Sequence, residues 1–118
     1  MILTYKTRKA LLIITAAAIL ILSLIPQAPN PASRIPYGDK LEHIAAYILL
    51  AFLLALNIAL KVNSRLYTAL LSAAICILYG AVIEFLQQYT GRSTELLDLI
   101  ADLVGAGVGA TLAVQVKK

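Results

Sequence analysis

The sequence predicts an all-α protein, a bundle of four transmembrane helices with both termini in the cytoplasm. Of its 118 residues, 61% are hydrophobic and 14% are charged, with a mean hydropathy of +0.88. A soluble domain is usually about 45–50% apolar and about 25% charged. Apolar runs of roughly 17–25 residues can cross a bilayer as helices. Four such runs lie at about residues 10–25, 43–60, 66–88 and 96–116, and we expect them to form one membrane domain over residues 1–118.

The basic residues predict the orientation. Seven of the ten lie before the first run, between the second and third, or after the fourth: Lys6, Arg8, Lys9, Lys61, Arg65, Lys117 and Lys118. The other three, Arg34, Lys40 and Arg92, belong to the opposite side. The positive-inside rule places the larger group in the cytoplasm. The net charge of +4 is then a topology signal, and no nucleic-acid partner is expected.

The first helix is predicted to anchor and pack the bundle, because its run is apolar nearly all round. The run is slightly short, so we expect its helix to extend towards Tyr5. A cleaved signal peptide is the alternative, since three basic residues precede the run. No clean small-x-small cleavage site follows, so we favour retention. All four prolines lie in residues 26–38, which predicts a stiff, non-helical connection on the outer side.

The second and third helices carry polar side chains near their outer ends. Asp39, His43 and Tyr47 are spaced four apart, which puts them on one helical face. A histidine at a membrane boundary is also a common interfacial residue, and so is tyrosine, but Tyr47 lies two turns below Asp39, which is too deep for an interfacial anchor. In the third helix, Glu84 lies roughly 25 Å along the axis from Tyr67 at 1.5 Å per residue, near the outer boundary. One of its two following glutamines, Gln87 or Gln88, shares its face, and Gly80 one turn earlier leaves room for a helix or a substrate group.

The fourth helix has an acidic and glycine-lined face, formed by Asp98, Asp102, Gly105 and Gly109. The Gly-x-x-x-Gly spacing is typical of close helix packing in membranes, so this face is expected to point into the bundle. An aspartate at a span centre costs about 2.5–3.5 kcal/mol. The acids therefore require a cation, a shared proton or Arg92. The structural alternative is a network of Asp, Arg and Gln side chains that joins two helix ends.

These residues together resemble the VanZ-like family of small bacterial integral membrane proteins. The resemblance covers about residues 35–109 and rests on three motifs: Asp39-Lys40-x-x-His43-x-x-x-Tyr47, Gly80-x-x-x-Glu84-x-x-Gln87, and Arg92 with Asp98-x-x-x-Asp102-x-x-Gly105. The family usually carries asparagine where this chain has Asp102. That departure adds a negative charge and makes proton sharing or cation binding easier here.

The resemblance implies a multi-pass protein of the bacterial inner membrane that acts at the cell envelope. The family's namesake is associated with low-level resistance to the glycopeptide teicoplanin, and no accepted catalytic activity comes with the family. The candidate functional cluster combines the motif residues with the second aspartate of the fourth helix: Asp39, His43, Tyr47, Glu84, Gln87, Arg92, Asp98 and Asp102.

Three functional hypotheses follow. The favoured one is an outward-facing polar pocket that binds or modulates a membrane lipid or a lipid-linked envelope precursor. The second is a metal-assisted hydrolase or transferase acting on a lipid phosphate ester, with His43 and the acids as ligands or acid–base groups. A divalent cation would suit it, although no dedicated metal motif is present. The third is a component of a proton-coupled carrier with Glu84 and Asp102 as proton sites. Whether the chain is an enzyme or a homo-oligomer stays open.

Overall fold

The computed structural model describes residues 4–24, 38–59, 63–89 and 96–116, and these form four helices without a strand. Each helix is long and apolar enough to cross a membrane. The predicted fold class, an all-α bundle of four membrane-crossing helices, is therefore confirmed. The sides on which the termini lie stay a prediction. The helices are α1 (Tyr5–Leu24), α2 (Gly38–Ile58), α3 (Arg65–Gln87) and α4 (Leu96–Val116).

Helices α1 and α2 begin well before the apolar runs that predicted them. Helix α1 begins at Tyr5, as expected for its short run, and includes the basic residues of its first turns, while α2 begins at Gly38, five residues before its apolar run. Hydropathy detects only the apolar part of a helix, whereas backbone hydrogen bonds continue into polar turns at its ends. Helix α3 begins with Ser64 as its N-cap, whose hydroxyl accepts a 3.1 Å bond from the Tyr67 amide.

The tightest contact in the bundle is between α2 and α4. An ideal Cβ on Gly105 would lie 2.5 Å from the Ile44 carbonyl oxygen, and one on Gly109 would overlap the Ile48 carbonyl. Both helices advance four residues between these contacts, so they run parallel with their backbones touching. Glycine permits this approach because it has no side chain to separate the axes.

Helix α4 also packs on α3, and α1 packs on α2 and α3. Among the described residues α1 makes no contact with α4, so these two helices occupy opposite corners of the bundle. Much of the core is made of small side chains, among them Ala51, Ala55, Ala106 and Ala110. Small residues are typical of membrane helix interfaces, because burial from lipid gives little hydrophobic free energy and close packing must replace it.

Candidate functional site

A polar cluster lies at the end of the bundle where α2 and α4 begin and α3 ends. It consists of His43 and Tyr47 from α2, Glu84 from α3, and Asp98 and Asp102 from α4. All five were in the candidate set predicted from the sequence. The structure therefore brings together candidate residues from three helices. Two of them, His43 and Asp102, are 59 positions apart in the chain.

The central contact joins His43 to Asp102. The imidazole Nδ1 lies 2.7 Å from Asp102 Oδ1, within hydrogen-bond distance. The Asp102 side chain is only 2% exposed, whereas 22% of the His43 side chain is exposed. A buried carboxylate thus holds an imidazole that extends to the surface of the bundle.

The packing glycines explain why this pair meets. Gly105 brings the α4 backbone onto α2 at Ile44, the residue that directly follows His43. Asp102 lies almost one turn before Gly105 on the same face of α4. Because the helices run parallel, the close approach at Gly105 places Asp102 beside His43.

Helix α3 packs against the contact between His43 and Asp102 at Gly80, where its backbone carries no side chain. An ideal Cβ at this position would lie 2.7 Å from Asp102 Oδ2 and 3.3 Å from the Tyr47 hydroxyl. The space that the sequence predicted beside Gly80 is therefore taken up by these two side chains. A residue larger than glycine would push against the carboxylate that holds His43.

The remaining acids of the cluster, Asp98 and Glu84, lie near enough to act on the imidazole. Asp98 lies one turn before Asp102 and is 7% exposed, and Glu84 is partly buried one turn after Gly80. The carboxylates of Asp98, Glu84 and Asp102 all act electrostatically on His43. The described part of the site thus combines three carboxyl groups with one imidazole. Such a set is self-repelling unless protons or positive charges compensate it.

Gln87 has a contact that the sequence did not predict. Its side chain is 3% exposed, and its Nε2 donates a 2.8 Å hydrogen bond to the Ser23 carbonyl at the end of α1. The last carbonyls of a helix have no partner within that helix, so Gln87 satisfies one of them and joins α3 to α1. A similar link is made by Tyr79, whose hydroxyl donates to the Ala16 carbonyl. The sequence could not predict either partner on α1, because both acceptors are main-chain carbonyls, which every residue has.

Two candidates lie outside the described side chains. Asp39 is in the first turn of α2, but its side chain is not described, and Arg92 falls in the undescribed segment between α3 and α4. Their roles stay predictions. Among the His, Cys, Asp and Glu side chains of the described residues, no group of three or more could hold a metal ion.

Comparison with known proteins supports the resemblance found in the sequence. No curated protein and no solved structure matches the chain significantly. The model of the VanZ/LLP1 family matches residues 5–117, which include all four helices and every residue of the polar cluster. With its four membrane-crossing helices and a family match over nearly the whole chain, the chain belongs to the VanZ/LLP1 family of membrane proteins.

Proposed function

We propose that the polar cluster binds the polar headgroup of a membrane lipid or of a lipid-linked envelope component. The contact between His43 and Asp102 carries this proposal. It holds an ionisable side chain at the surface of an apolar bundle, backed by a buried carboxylate. Ionisable groups within membrane spans are costly and are usually functional. Helix packing does not require these ionisable side chains, whereas the binding of a headgroup would use them.

The chemistry of the cluster suits a headgroup with hydroxyl or amine groups. Carboxylates accept hydrogen bonds from such groups, and charge-assisted bonds of this kind are the stronger ones. The sequence also predicts Lys40 and Arg92 at this end of the bundle, where they would engage a phosphate or carboxylate. Both signs of charge together fit a headgroup better than they fit a simple ion.

We further propose that this binding takes place on the outer face of the bacterial inner membrane, with both termini in the cytoplasm. The distribution of basic residues supports that orientation. Acting there, the protein would modulate an envelope component, and a contribution to resistance against teicoplanin-type glycopeptides would be one consequence. The polar cluster supports the binding of an envelope component, and family membership supports the link to glycopeptide resistance.

The two other hypotheses have weaker support. A metal-assisted hydrolase needs a set of ligands, and the described side chains offer no group of three. A proton carrier needs a polar path through the bundle. Below the cluster, the contact of α2 with α4 is closed by Gly109 and by Ala106, Ala110 and Ala113, which are buried and apolar.

Native mass spectrometry of the gently purified protein tests the proposal. We expect a lipid-sized mass adduct on the parent chain, and its loss in the double variant Glu84→Gln, Asp98→Asn. Glu42→Gln is the matched control, because Glu42 is an exposed acid at the same end that lies outside the cluster. An adduct that persists in the double variant would contradict binding at the cluster. A bare chain in every sample would favour the structural network of helix ends.

A further inference from the structure

We propose that the end of the bundle opposite the polar cluster holds a second lipid site, in which Arg8 of α1 binds the phosphodiester of an anionic lipid such as phosphatidylglycerol. This site is separate from the polar cluster and does not rest on the function proposed for that cluster. It follows from the way the Arg8 guanidinium is held, from its donors that lack partners, and from the distance to the nearest acids.

Arg8 is fixed between the start of α1 and the end of α2. Its Nη1 donates a 3.2 Å hydrogen bond to the Leu56 carbonyl, and its own carbonyl accepts a bond of the same length from Asn57 Nδ2. Asn57 is held in turn by a 2.8 Å bond to the Leu53 carbonyl. A guanidinium that is already held in place loses less conformational entropy when it binds a ligand.

Most donors of this guanidinium remain available. The group has five N–H donors, and the bond to Leu56 uses one of them. Nε is buried without a partner among the described residues, and Nη2 makes no bond to them either but is not fully buried. A buried donor without a partner is costly. An anion at Nη2 would accept hydrogen bonds from the accessible edge of the group and would compensate the buried Nε electrostatically.

The charge of Arg8 has no acid beside it. Arg8 forms no ion pair among the described residues, and all six acids of the sequence occur in or next to the opposite ends of the helices. Asp102, for example, lies beside His43, which is roughly 20 Å along α2 from Leu56 at 1.5 Å per residue. An external anion is therefore the partner that fits this guanidinium.

The neighbours of Arg8 on α1 fit a lipid better than a free anion. Lys6 and Lys9 are exposed and add positive charge beside the guanidinium, and such basic groups attract anionic lipids at a membrane surface. Tyr5 and Leu11 lie three residues before and after Arg8 on the same helical face, and both are exposed. A lipid would place its phosphodiester at the guanidinium and its acyl chains along these two side chains.

A purely structural role for Arg8 would need only the bond from Nη1 to the Leu56 carbonyl. Basic side chains near the end of a helix often satisfy its last carbonyls in this way. A glutamine amide can donate to the same carbonyl but carries no charge. Arg8→Gln therefore separates the two roles, because this variant can keep the bond to α2 but cannot pair with a phosphodiester.

The test compares three ligands on the full chain in detergent. The chain is titrated with short-chain phosphatidylglycerol, short-chain phosphatidylcholine or inorganic phosphate, and bound fractions are measured by native mass spectrometry. Phosphatidylcholine has the same phosphodiester but also an ammonium group that the basic residues repel. We expect phosphatidylglycerol to bind about fivefold more tightly, as for one charge beside basic residues at a membrane surface. Equal binding of the two lipids would overturn the selectivity for anionic lipids, and displacement by equimolar inorganic phosphate would overturn the assignment to a lipid.

The variants assign the site to Arg8. In Arg8→Gln, phosphatidylglycerol should bind on the order of tenfold more weakly, as for the loss of a hydrogen bond to a charged group. Lys9→Gln is the matched control, because it removes the same charge from an exposed neighbour, and it should weaken binding less. An equal loss in both variants would show a diffuse attraction to positive charge and would overturn the site. Thermal unfolding without lipid verifies that each variant is folded.

A readout on the parent chain does not depend on the folding of any variant. In ¹⁵N-arginine-labelled protein, phosphatidylglycerol should shift the side-chain NMR resonances of Arg8, assigned through its own backbone, and phosphatidylcholine should shift them less. Unchanged Arg8 resonances at saturating phosphatidylglycerol would overturn the inference.

The two lipid sites can fail independently. The Glu84→Gln, Asp98→Asn variant should bind phosphatidylglycerol at Arg8 as tightly as the parent, and loss of that binding would place the lipid at the polar cluster and overturn the inference. Because both sites would give lipid adducts, the test of the polar cluster is also run in the Arg8→Gln background. An adduct that the double variant loses in that background supports the proposed function, whatever the outcome at Arg8.

Discussion

The contact of α2 with α4 and the attachment of α1 show two different ways in which helices associate inside a membrane. At the first, glycines allow two backbones to touch, and much of the core between the helices is made of small side chains. At the second, α1 has no buried residue, although it is as apolar as the other helices. Lipid tails are as apolar as leucine, so helices in a membrane associate through close packing or through interhelical hydrogen bonds. The bundle uses packing at its centre and hydrogen bonds at its edge.

The hydrogen bonds of α1 are placed along its whole length. Near its start, Arg8 Nη1 donates to the Leu56 carbonyl, and Asn57 Nδ2 donates back to the Arg8 carbonyl, each at 3.2 Å. The Tyr79 hydroxyl reaches the middle of the helix, and Gln87 reaches its end. Helix α1 is thus attached at several points, whereas α2 and α4 share one continuous contact. We expect substitutions in the two regions to lower the free energy of unfolding by different amounts.

The largest effect should come from Gly109→Ala. The added methyl group would overlap the backbone of α2 at Ile48, which cannot move without shifting the whole helix. We expect a loss of about 1–3 kcal/mol in the free energy of unfolding, as for overpacking of a core. Reversible unfolding in mixed micelles measures this loss.

Gly107→Ala is the matched control for that substitution. It lies on the same helix two residues earlier, and a Cβ there would meet nothing within 4 Å. Alanine favours a helix over glycine by roughly 1 kcal/mol, so this variant should be as stable as the parent or more stable. If both variants lose the same free energy, the loss does not come from the contact of α2 with α4.

An intermediate effect is expected for Gly80→Ala. Its methyl group would meet a side-chain atom, Asp102 Oδ2, rather than a backbone, so the neighbour can move by rotation. We expect a loss of about 1 kcal/mol, at the lower end of the range for overpacking, together with a change in the NMR signals of His43.

A double-mutant cycle sharpens the Gly80 result. In the Asp102→Ala background the carboxylate is absent, so Gly80→Ala should then cost little or nothing. An unchanged cost in that background would show that the clash is with another neighbour, such as the Tyr47 hydroxyl.

The smallest effect should come from Tyr79→Phe at the edge of the bundle. This change removes only the hydroxyl that donates to the Ala16 carbonyl. Interhelical hydrogen bonds in membranes contribute on average about 0.6 kcal/mol, and at most about 1.7 kcal/mol. Tyr67→Phe on the same helix is the control, since Tyr67 is exposed and its hydroxyl makes no described contact. A loss as large as that of Gly109→Ala would contradict the division between a packed centre and a hydrogen-bonded edge.

Much of the fold could be predicted because membrane helices are encoded locally. Four apolar runs of sufficient length are enough to predict four helices, since no other open structure satisfies the backbone inside a bilayer. The start of α2 was less well predicted than the others. Helix α2 begins five residues before its apolar run, because the polar residues of its first turns carry no hydropathy signal.

The candidate site was predicted as a set of residues but not as an arrangement. Spacing placed His43 and Tyr47 on one face of α2, and Asp98 and Asp102 on one face of α4, because the helical period is a local property. The pairing of His43 with Asp102 could not be read in the same way. It depends on the relative height of two helices, and a shift of one turn would give His43 a different neighbour.

By itself, the sequence determined the four helices, the membrane class, the family motifs and the inward face of α4, because each depends on composition or on spacing within one segment. Only the tertiary structure decided that Asp102 holds His43 and that α1 is attached through main-chain carbonyls. The first of these arises where the backbones of α2 and α4 meet at Ile44 and Ile48, and the second arises where side chains of α3 reach α1. That register depends on steric fit between distant segments, and no local pattern contains it.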